Sequence, residues 1–156
     1  DLKNYNVRIT PLLSDVEKII ESGADIIAYD GTNRKRPFST KEIVSKIKRS
    51  NRIAMADCSN LEDAKNAIFE GADIIGTTLS GYAGKKAKDN DQPDIKLVRR
   101  FKKLNSFVMA EGRYNSPDLA KKAILAGADA VTVGSAITRI DNITSWFVKE
   151  IKIKNE

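Results

Sequence analysis

Three short aliphatic runs, each introduced by the triplet Gly-Ala-Asp, dominate the pattern of hydrophobic and polar positions in this chain. The triplets occupy positions 23–25, 71–73 and 127–129. Each run is too short for a helix and lacks the polar alternation of a half-exposed strand, so it predicts a buried strand. The Gly of each triplet fits the left-handed backbone that often ends a helix. The pattern therefore predicts helix–strand units in an α/β fold with a parallel sheet.

Two further apolar runs bring the number of predicted strands to five, starting at about positions 25, 53, 73, 107 and 130. Amphipathic segments separate them, and Ser14, Thr40 and Ser116 are predicted to cap three of these helices. The segment 80–94 is polar and too long for a simple connection, which predicts a mobile lid. No linker is visible, so residues 1–156 are predicted to form a single domain.

The net charge of +6, from 27 Lys and Arg against 21 Asp and Glu, changes this interpretation little. The basic residues fall on predicted helix faces without a nucleic-acid motif, so an anionic small molecule is expected rather than nucleic acid. No run approaches the roughly 18 apolar residues of a membrane span, and no membrane contact is expected. Cys58 is expected to be a small buried thiol in a cytoplasmic protein. Trp146 and Phe147 are expected to pack the last helix against its neighbours.

The chain contains no histidine, so the commonest zinc ligand and the usual base of catalytic triads are absent. Neither a metal nor a cofactor is expected. Acidic residues instead follow the predicted strands: Asp30, Asp57 and Glu111. Because the carboxyl ends of parallel strands meet at one edge of the sheet, these carboxylates are candidates for acid–base chemistry there.

Three sequence blocks at the predicted strand ends carry a resemblance to a known family. They are Gly76-Thr77-Thr78-Leu79-Ser80-Gly81-Tyr82, Ala110-Glu111-Gly112-Arg113 and Ala136-Ile137-Thr138-Arg139. Together they resemble the N-acetylmannosamine-6-phosphate 2-epimerases of bacterial sialic-acid breakdown, and the resemblance covers essentially the whole chain. It implies a TIM (β/α)8 barrel, of which this chain would supply strands four to eight, the C-terminal five-eighths. The implied reaction interconverts N-acetylmannosamine 6-phosphate and N-acetylglucosamine 6-phosphate by removing and returning a proton at C2.

The resemblance also implies roles for individual residues. Glu111 would be the acid–base residue, and Asp57 would hydrogen-bond sugar hydroxyls or assist ring opening. The implied substrate contacts are Asp30, Thr77, Thr78, Ser80 and Arg113. A structural role stays open for each of them, because Thr suits strands and a carboxylate at a strand end can simply hold its loop. Glu111 itself could be such a brace, paired with Arg113.

A phosphate site is expected at the loops after the last two strands, where backbone N–H groups and a short helix can bind an anion. Its candidate residues are Gly112, Gly134, Ser135, Ala136 and Arg139. The pair Gly134-Ser135 departs from the Gly-Gly that is usual in the family. Plain turn glycines are the alternative interpretation of this set.

The residue that takes the C2 proton in the family is a Lys at the end of its third strand, which would precede Asp1. No lysine of this chain lies at a predicted strand end. Two other functions therefore stay open beside the epimerase: another phosphate-binding barrel isomerase or synthase, and a non-catalytic remnant that binds phosphosugars. In the remnant, a second copy could cover the apolar edge of the sheet, which would make a homodimer.

Overall fold

A computed structural model describes residues 7–82 and 92–151. Most of the predicted lid at 80–94 lies outside these ranges. The strands are β1 (Ile26–Asp30), β2 (Ile53–Asp57), β3 (Ile74–Gly76), β4 (Phe107–Glu111) and β5 (Ala130–Thr132). The helices are α1 (Leu13–Glu21), α2 (Thr40–Arg49), α3 (Leu61–Glu70), α4 (Ile95–Lys102), α5 (Pro117–Leu125), α6 (Ser135–Thr138) and α7 (Ile140–Ile151).

The five strands form one parallel sheet in the order β1-β2-β3-β4-β5. The helices α1 to α5 pack side by side along it, each beside the strand that it precedes or follows. Fully buried side chains between the two layers include Tyr29, Ile47, Ile75, Phe101 and Val108. The predicted α/β fold with a parallel sheet is therefore confirmed.

The glycines of the three Gly-Ala-Asp triplets end helices as predicted. Gly23, Gly71 and Gly127 have φ values of +86°, +102° and +104°, a conformation that other residues adopt at a cost. Each allows the chain to leave its helix and enter the next buried strand directly. The repeated sequence thus encodes the turn from the helix layer into the sheet.

Helix starts differ from the prediction by one or two residues in two of three cases. Ser116 is the N-cap of α5, as predicted. Ser14 and Thr40 lie inside their helices instead, because the N-cap positions are Leu12 and Ser39. Ser39 rather than Thr40 is the N-cap of α2 because it forms a capping box with Glu42, the third residue of the helix.

The last helix is less buried than the sequence suggests. Among the described residues, α7 packs on α6 rather than on the sheet, and Phe147 is 68% exposed. The prediction that Phe147 packs α7 against its neighbours is therefore wrong within the described ranges. Trp146 is half-buried.

Cys58 is fully buried and donates weakly to the carbonyl of Ala56, which confirms the prediction of a small core thiol. Over residues 7–82 and 92–151, no helix is long and apolar enough to cross a bilayer.

The aspartates of the second and third triplets, Asp73 and Asp129, brace the opposite edge of the sheet. Asp129 accepts the N–H of Val108 at 2.8 Å and pairs with Lys102 at 2.7 Å. Lys102 and the Val108 N–H both lower the pKa of Asp129. Asp73 binds the Ala54 N–H at 2.8 Å in the same way. The carboxylate thus ties the start of one strand to the preceding strand.

Replacing Asp129 with Ala is expected to lower the free energy of unfolding at pH 7 by about 1–2 kcal/mol, since a charged acceptor of a backbone N–H is lost. A lowered pKa in the folded state means that this stabilisation is present at neutral pH and is lost as the pH falls below about 4. Urea denaturation at pH 7 and pH 3 measures both effects. Asp25→Ala, which removes an exposed pair with Arg52 at the matching position of the first triplet, should cost less than about 0.5 kcal/mol. Equal losses in the free energy of unfolding for the two variants would contradict the role of Asp129 as a brace of the sheet edge.

Candidate functional site

The carboxyl ends of three adjacent strands bring together two carboxylates and one hydroxyl. Asp57 ends β2, Glu111 ends β4, and Thr78 follows β3 between them. The Thr78 hydroxyl oxygen lies 2.8 Å from Asp57 Oδ1 and 2.7 Å from Glu111 Oε2. We call these three residues the carboxylate cluster. Because the strands are parallel, all three residues lie at the carboxyl edge of the sheet, as the sequence predicts.

Burial and mutual repulsion set the protonation of the cluster. Asp57 is 2% exposed, and Glu111 is half-buried. Burial, and then the negative charge of Glu111, raise the pKa of Asp57 to about 7, while the Thr78 hydroxyl opposes this rise. Asp57 thus takes up a proton near neutral pH, where an ordinary aspartate is ionised.

Gly76 leaves the space that the Asp57 carboxylate occupies. A Cβ atom at this position would lie 2.8 Å from Asp57 Oδ1 and 3.1 Å from the terminal carbon of Met55. The first distance is shorter than real Cβ contacts allow, so any larger residue would force the Asp57 carboxylate to shift. Among residues 7–82 and 92–151, no group of His, Cys, Asp and Glu is arranged to hold a metal ion.

Thr77 fixes the backbone of Glu111 rather than facing the cluster. Its hydroxyl donates to the Glu111 carbonyl at 2.9 Å and accepts the Glu111 N–H at 3.0 Å. Thr77 is also buried. Substrate contact by Thr77 stays a prediction, and these bonds favour a structural role that positions the Glu111 side chain.

A cavity of about 180 Å³ opens beside the cluster, and a second of about 440 Å³ adjoins it. Thr78, Gly112, Arg113, Asn115 and Ser135 line both. The smaller cavity is also lined by Glu111, Tyr114, Thr132 and Gly134. Asp57 lines neither of these two cavities, whereas its hydrogen-bond partner Thr78 lines both.

Arg113 forms a fixed cationic wall of this space. Its guanidinium donates to the Ser80 carbonyl at 2.9 Å and lies 5.4 Å from the centre of the Tyr82 ring. The guanidinium of Arg8 approaches the same ring at 5.9 Å. Two cations on one ring supply positive potential beside the cavities, which suits an anionic ligand.

Asp30 and Ser80, also predicted to contact substrate, are bonded within their own loops. Asp30 is fully buried and accepts the Thr32 N–H at 3.0 Å, and Arg36 lies 3.4 Å from its carboxylate. The Ser80 hydroxyl donates to Asp94 at 2.7 Å. Their substrate contacts stay predictions, and the observed bonds favour loop-holding roles for both.

The expected phosphate residues divide into two groups. Gly112, Gly134 and Ser135 line the smaller cavity. Ala136 and Arg139 do not line either cavity, and Arg139 is exposed and pairs with Asp141 at 2.9 Å. The structure therefore brings the small residues to the cavity and leaves the predicted arginine outside it.

Several cavity residues were not singled out by sequence reasoning. Tyr114, Asn115 and Thr132 could have been found by extending the strand-end blocks by two residues, or by giving weight to the last residue of β5. Burial raises the pKa of Tyr114 to about 12, so its hydroxyl stays protonated. Arg8 precedes the first predicted helix, and no local signal connects it to Tyr82.

Comparison with known sequences identifies the family. Residues 1–153 match the family described as "NanE: Putative N-acetylmannosamine-6-phosphate epimerase". The chain is 52% identical over 152 residues to a "Putative N-acetylmannosamine-6-phosphate 2-epimerase" of Haemophilus influenzae, covering 97% of this chain and 66% of that protein. It is 56% identical over 147 residues to the "Bifunctional enzyme NanE/NanK" of Brucella melitensis, covering 94% of this chain and 28% of that protein. The chain thus spans less than two thirds of the length of these relatives.

Comparison with solved structures agrees. The N-acetylmannosamine-6-phosphate 2-epimerase from Clostridium perfringens matches with a TM-score of 0.91 and 36% identity, over 97% of this chain and 67% of that chain. FabK from Thermotoga maritima, at a TM-score of 0.61 and 17% identity, shares the fold alone. These matches do not favour another barrel isomerase or a non-catalytic remnant. From its sequence and its structure, the chain belongs to the NanE family.

Proposed function

We propose that the protein interconverts N-acetylmannosamine 6-phosphate and N-acetylglucosamine 6-phosphate. The observation that carries the proposal is the carboxylate cluster at the carboxyl edge of the sheet, with Glu111 bordering a cavity whose other walls are small or cationic. Family membership supplies the substrate class. The geometry supplies an acid–base group beside a space for an anionic sugar.

The five helix–strand units would be part of a (β/α)8 barrel and form its strands four to eight, in one domain. The sequential strand order supports this proposal, because a doubly wound sheet reverses its order at a switch point and a barrel does not. A barrel also gathers all its strand ends at one mouth. The cluster and both cavities lie where that mouth would be.

The phosphate group would bind at Gly112, Gly134 and Ser135. These residues line the same cavity as Glu111, so a sugar phosphate bound there would place its ring near the cluster. Gly112 has a φ of +92°, a conformation that favours glycine, and it has no side chain between its backbone and the cavity. A serine hydroxyl at position 135 adds one donor to the backbone N–H groups. Ala136 and Arg139 stay predictions as further phosphate contacts.

Epimerisation requires a proton to leave C2 on one face of the sugar and to return on the other. The C2 proton is acidic only while the neighbouring aldehyde is free, so the site must also handle the ring or carbonyl oxygen. Glu111 would exchange protons with the substrate, and Arg113 would offset the charge of the anionic sugar. In the family that the sequence resembles, a Lys would be the partner base, and no lysine among the described residues lines the two cavities.

Proton NMR in D₂O tests the function directly. The purified protein is mixed with N-acetylmannosamine 6-phosphate, and the C2 proton signal is followed. Loss of this signal together with appearance of the glucosamine epimer is the expected result. The 2-deoxy analogue, which lacks the acetamido group, serves as a control for nonspecific exchange. Binding of the phosphosugar without any C2 exchange would overturn the epimerase proposal and favour the binding-only alternative.

A further inference from the structure

One hydroxyl group lies between two carboxyl groups in the cluster, and its hydrogen cannot serve both. Thr78 carries a single O–H hydrogen, yet its oxygen is within hydrogen-bond distance of Asp57 Oδ1, at 2.8 Å, and Glu111 Oε2, at 2.7 Å. If both carboxyl groups were ionised, one of these contacts would oppose lone pairs without a hydrogen in a largely buried place. Such an arrangement is unfavourable. A second hydrogen is therefore needed on one of the acids.

We propose that Asp57 and Glu111 hold one acidic proton between them and that the Thr78 hydroxyl passes it from one to the other. The catalytic use of this relay rests on the function proposed above. The sharing itself rests only on the geometry of the cluster.

The transfer balances atom by atom. In one state, Asp57 is protonated and donates to Thr78, while Thr78 donates to ionised Glu111. In the second state, the hydrogen of Thr78 has moved to Glu111, and the hydrogen of Asp57 has moved to Thr78. One O–H bond forms for each that breaks, the total charge of the pair stays at minus one, and no oxidant or other reactant is required.

The position of the two acids gives the relay a direction. Glu111 lines the cavity, whereas Asp57 is 2% exposed and does not line either cavity. Thr77 holds the backbone of Glu111, and the space at Gly76 admits the Asp57 carboxylate. Glu111 can thus exchange a proton with a bound molecule and be restored from Asp57 through the Thr78 hydroxyl.

The charged and titratable groups around the cluster are consistent with one retained proton. Asp57 faces the charge of Glu111 from β4 and of Asp30 from β1, and it lies near the Cys58 thiol and the Tyr29 phenol. Arg113 lines the cavity on the Glu111 side. Asp30 is itself paired with Arg34 and Arg36, so the negative charge that Asp57 faces comes mainly from Glu111, and this repulsion favours one proton retained by the pair.

Carbon-13 NMR titration tests the sharing without reference to activity. The protein is labelled at the carboxyl carbons of Asp and Glu, and the Asp57→Asn and Glu111→Gln variants assign the two signals. We expect both signals to shift with a common midpoint in the native protein and in Thr78→Ser, which keeps the hydroxyl. In Thr78→Val, the midpoints should separate by about one pH unit or more, because the linking hydroxyl is gone. The matched Thr144→Val on α7 should keep the common midpoint. Superimposable curves for Thr78→Val and the native protein would overturn the proposal.

Kinetics then test the catalytic use of the relay. Thr78→Val should lower kcat for C2 exchange by about 100-fold while KM changes less than about threefold, and Thr78→Ser should recover most of kcat. A loss confined to KM would contradict the relay and indicate a binding role for Thr78. If the native protein exchanges no C2 proton, the proposed function fails, and the titration still decides whether the acids share a proton.

Discussion

Replacement of Glu111 by Gln is expected to lower the rate of C2 proton exchange by about 10²- to 10⁴-fold, the usual contribution of a positioned acid–base group. Gln has nearly the same shape but cannot take up the proton. The bonds from Thr77 to residue 111 involve only the backbone of that residue, so they persist in the variant. The loss should therefore appear in kcat with the fold intact. Proton NMR of N-acetylmannosamine 6-phosphate in D₂O gives the rate, and circular dichroism checks the fold.

A matched substitution separates loss of chemistry from loss of one negative charge. Glu21→Gln makes the same change at an exposed position at the end of α1, on the edge of the sheet away from the cluster. This variant should exchange the C2 proton at the native rate. A Glu111→Gln variant that stays within threefold of that rate would show that Glu111 is only a loop brace.

Replacement of Asp57 by Asn is expected to stabilise the fold at pH 8, by on the order of 2 kcal/mol, while it impairs activity. Burial and the charge of Glu111 raise the pKa of Asp57 to about 7. A raised pKa means that the folded state binds the proton more tightly than the unfolded state. The native protein should therefore lose stability as the pH rises from about 4 to about 7 and remain at the lower level above it. Because an amide does not ionise, the Asp57→Asn variant does not lose stability over this pH range.

Urea denaturation of both proteins at pH 5 and pH 8 measures this difference. The advantage of the Asp57→Asn variant should be larger at pH 8 than at pH 5. Asp118→Asn, on the exposed face of α5, should show no such dependence beyond the small loss of its pair with Lys122. If Asp57→Asn were less stable than the native protein at pH 8, the hydrogen bonds to the ionised Asp57 carboxylate would outweigh the cost of burying its charge.

The position of acidic residues after the predicted strands located the acids of the site. It did not show which neighbouring polar residues face the cluster and which only support the backbone. Thr77 and Thr78 are adjacent and identical in sequence, yet one holds the Glu111 backbone and the other bridges two carboxyl groups. β3 ends at Gly76 and the chain turns at Thr78, so the two side chains point in different directions, and the sequence does not say which is which. Asp30 and Asp57 likewise follow similar apolar runs. The arginines of the loop after β1 bind Asp30 and tie it to that loop.

The sequence by itself determined the helix–strand order, the turns at the three triplet glycines, the family and the edge of the sheet that carries the acids. These features depend on local periodicity and on short blocks of neighbouring residues, so the linear chain contains them. Tertiary structure alone decided that Thr78 joins Asp57 to Glu111, that Tyr82 lies beside both Arg8 and Arg113, and that Arg139 lies outside the two cavities. Those facts depend on distances between residues far apart in the chain, and such distances are set only when the strands and helices pack together.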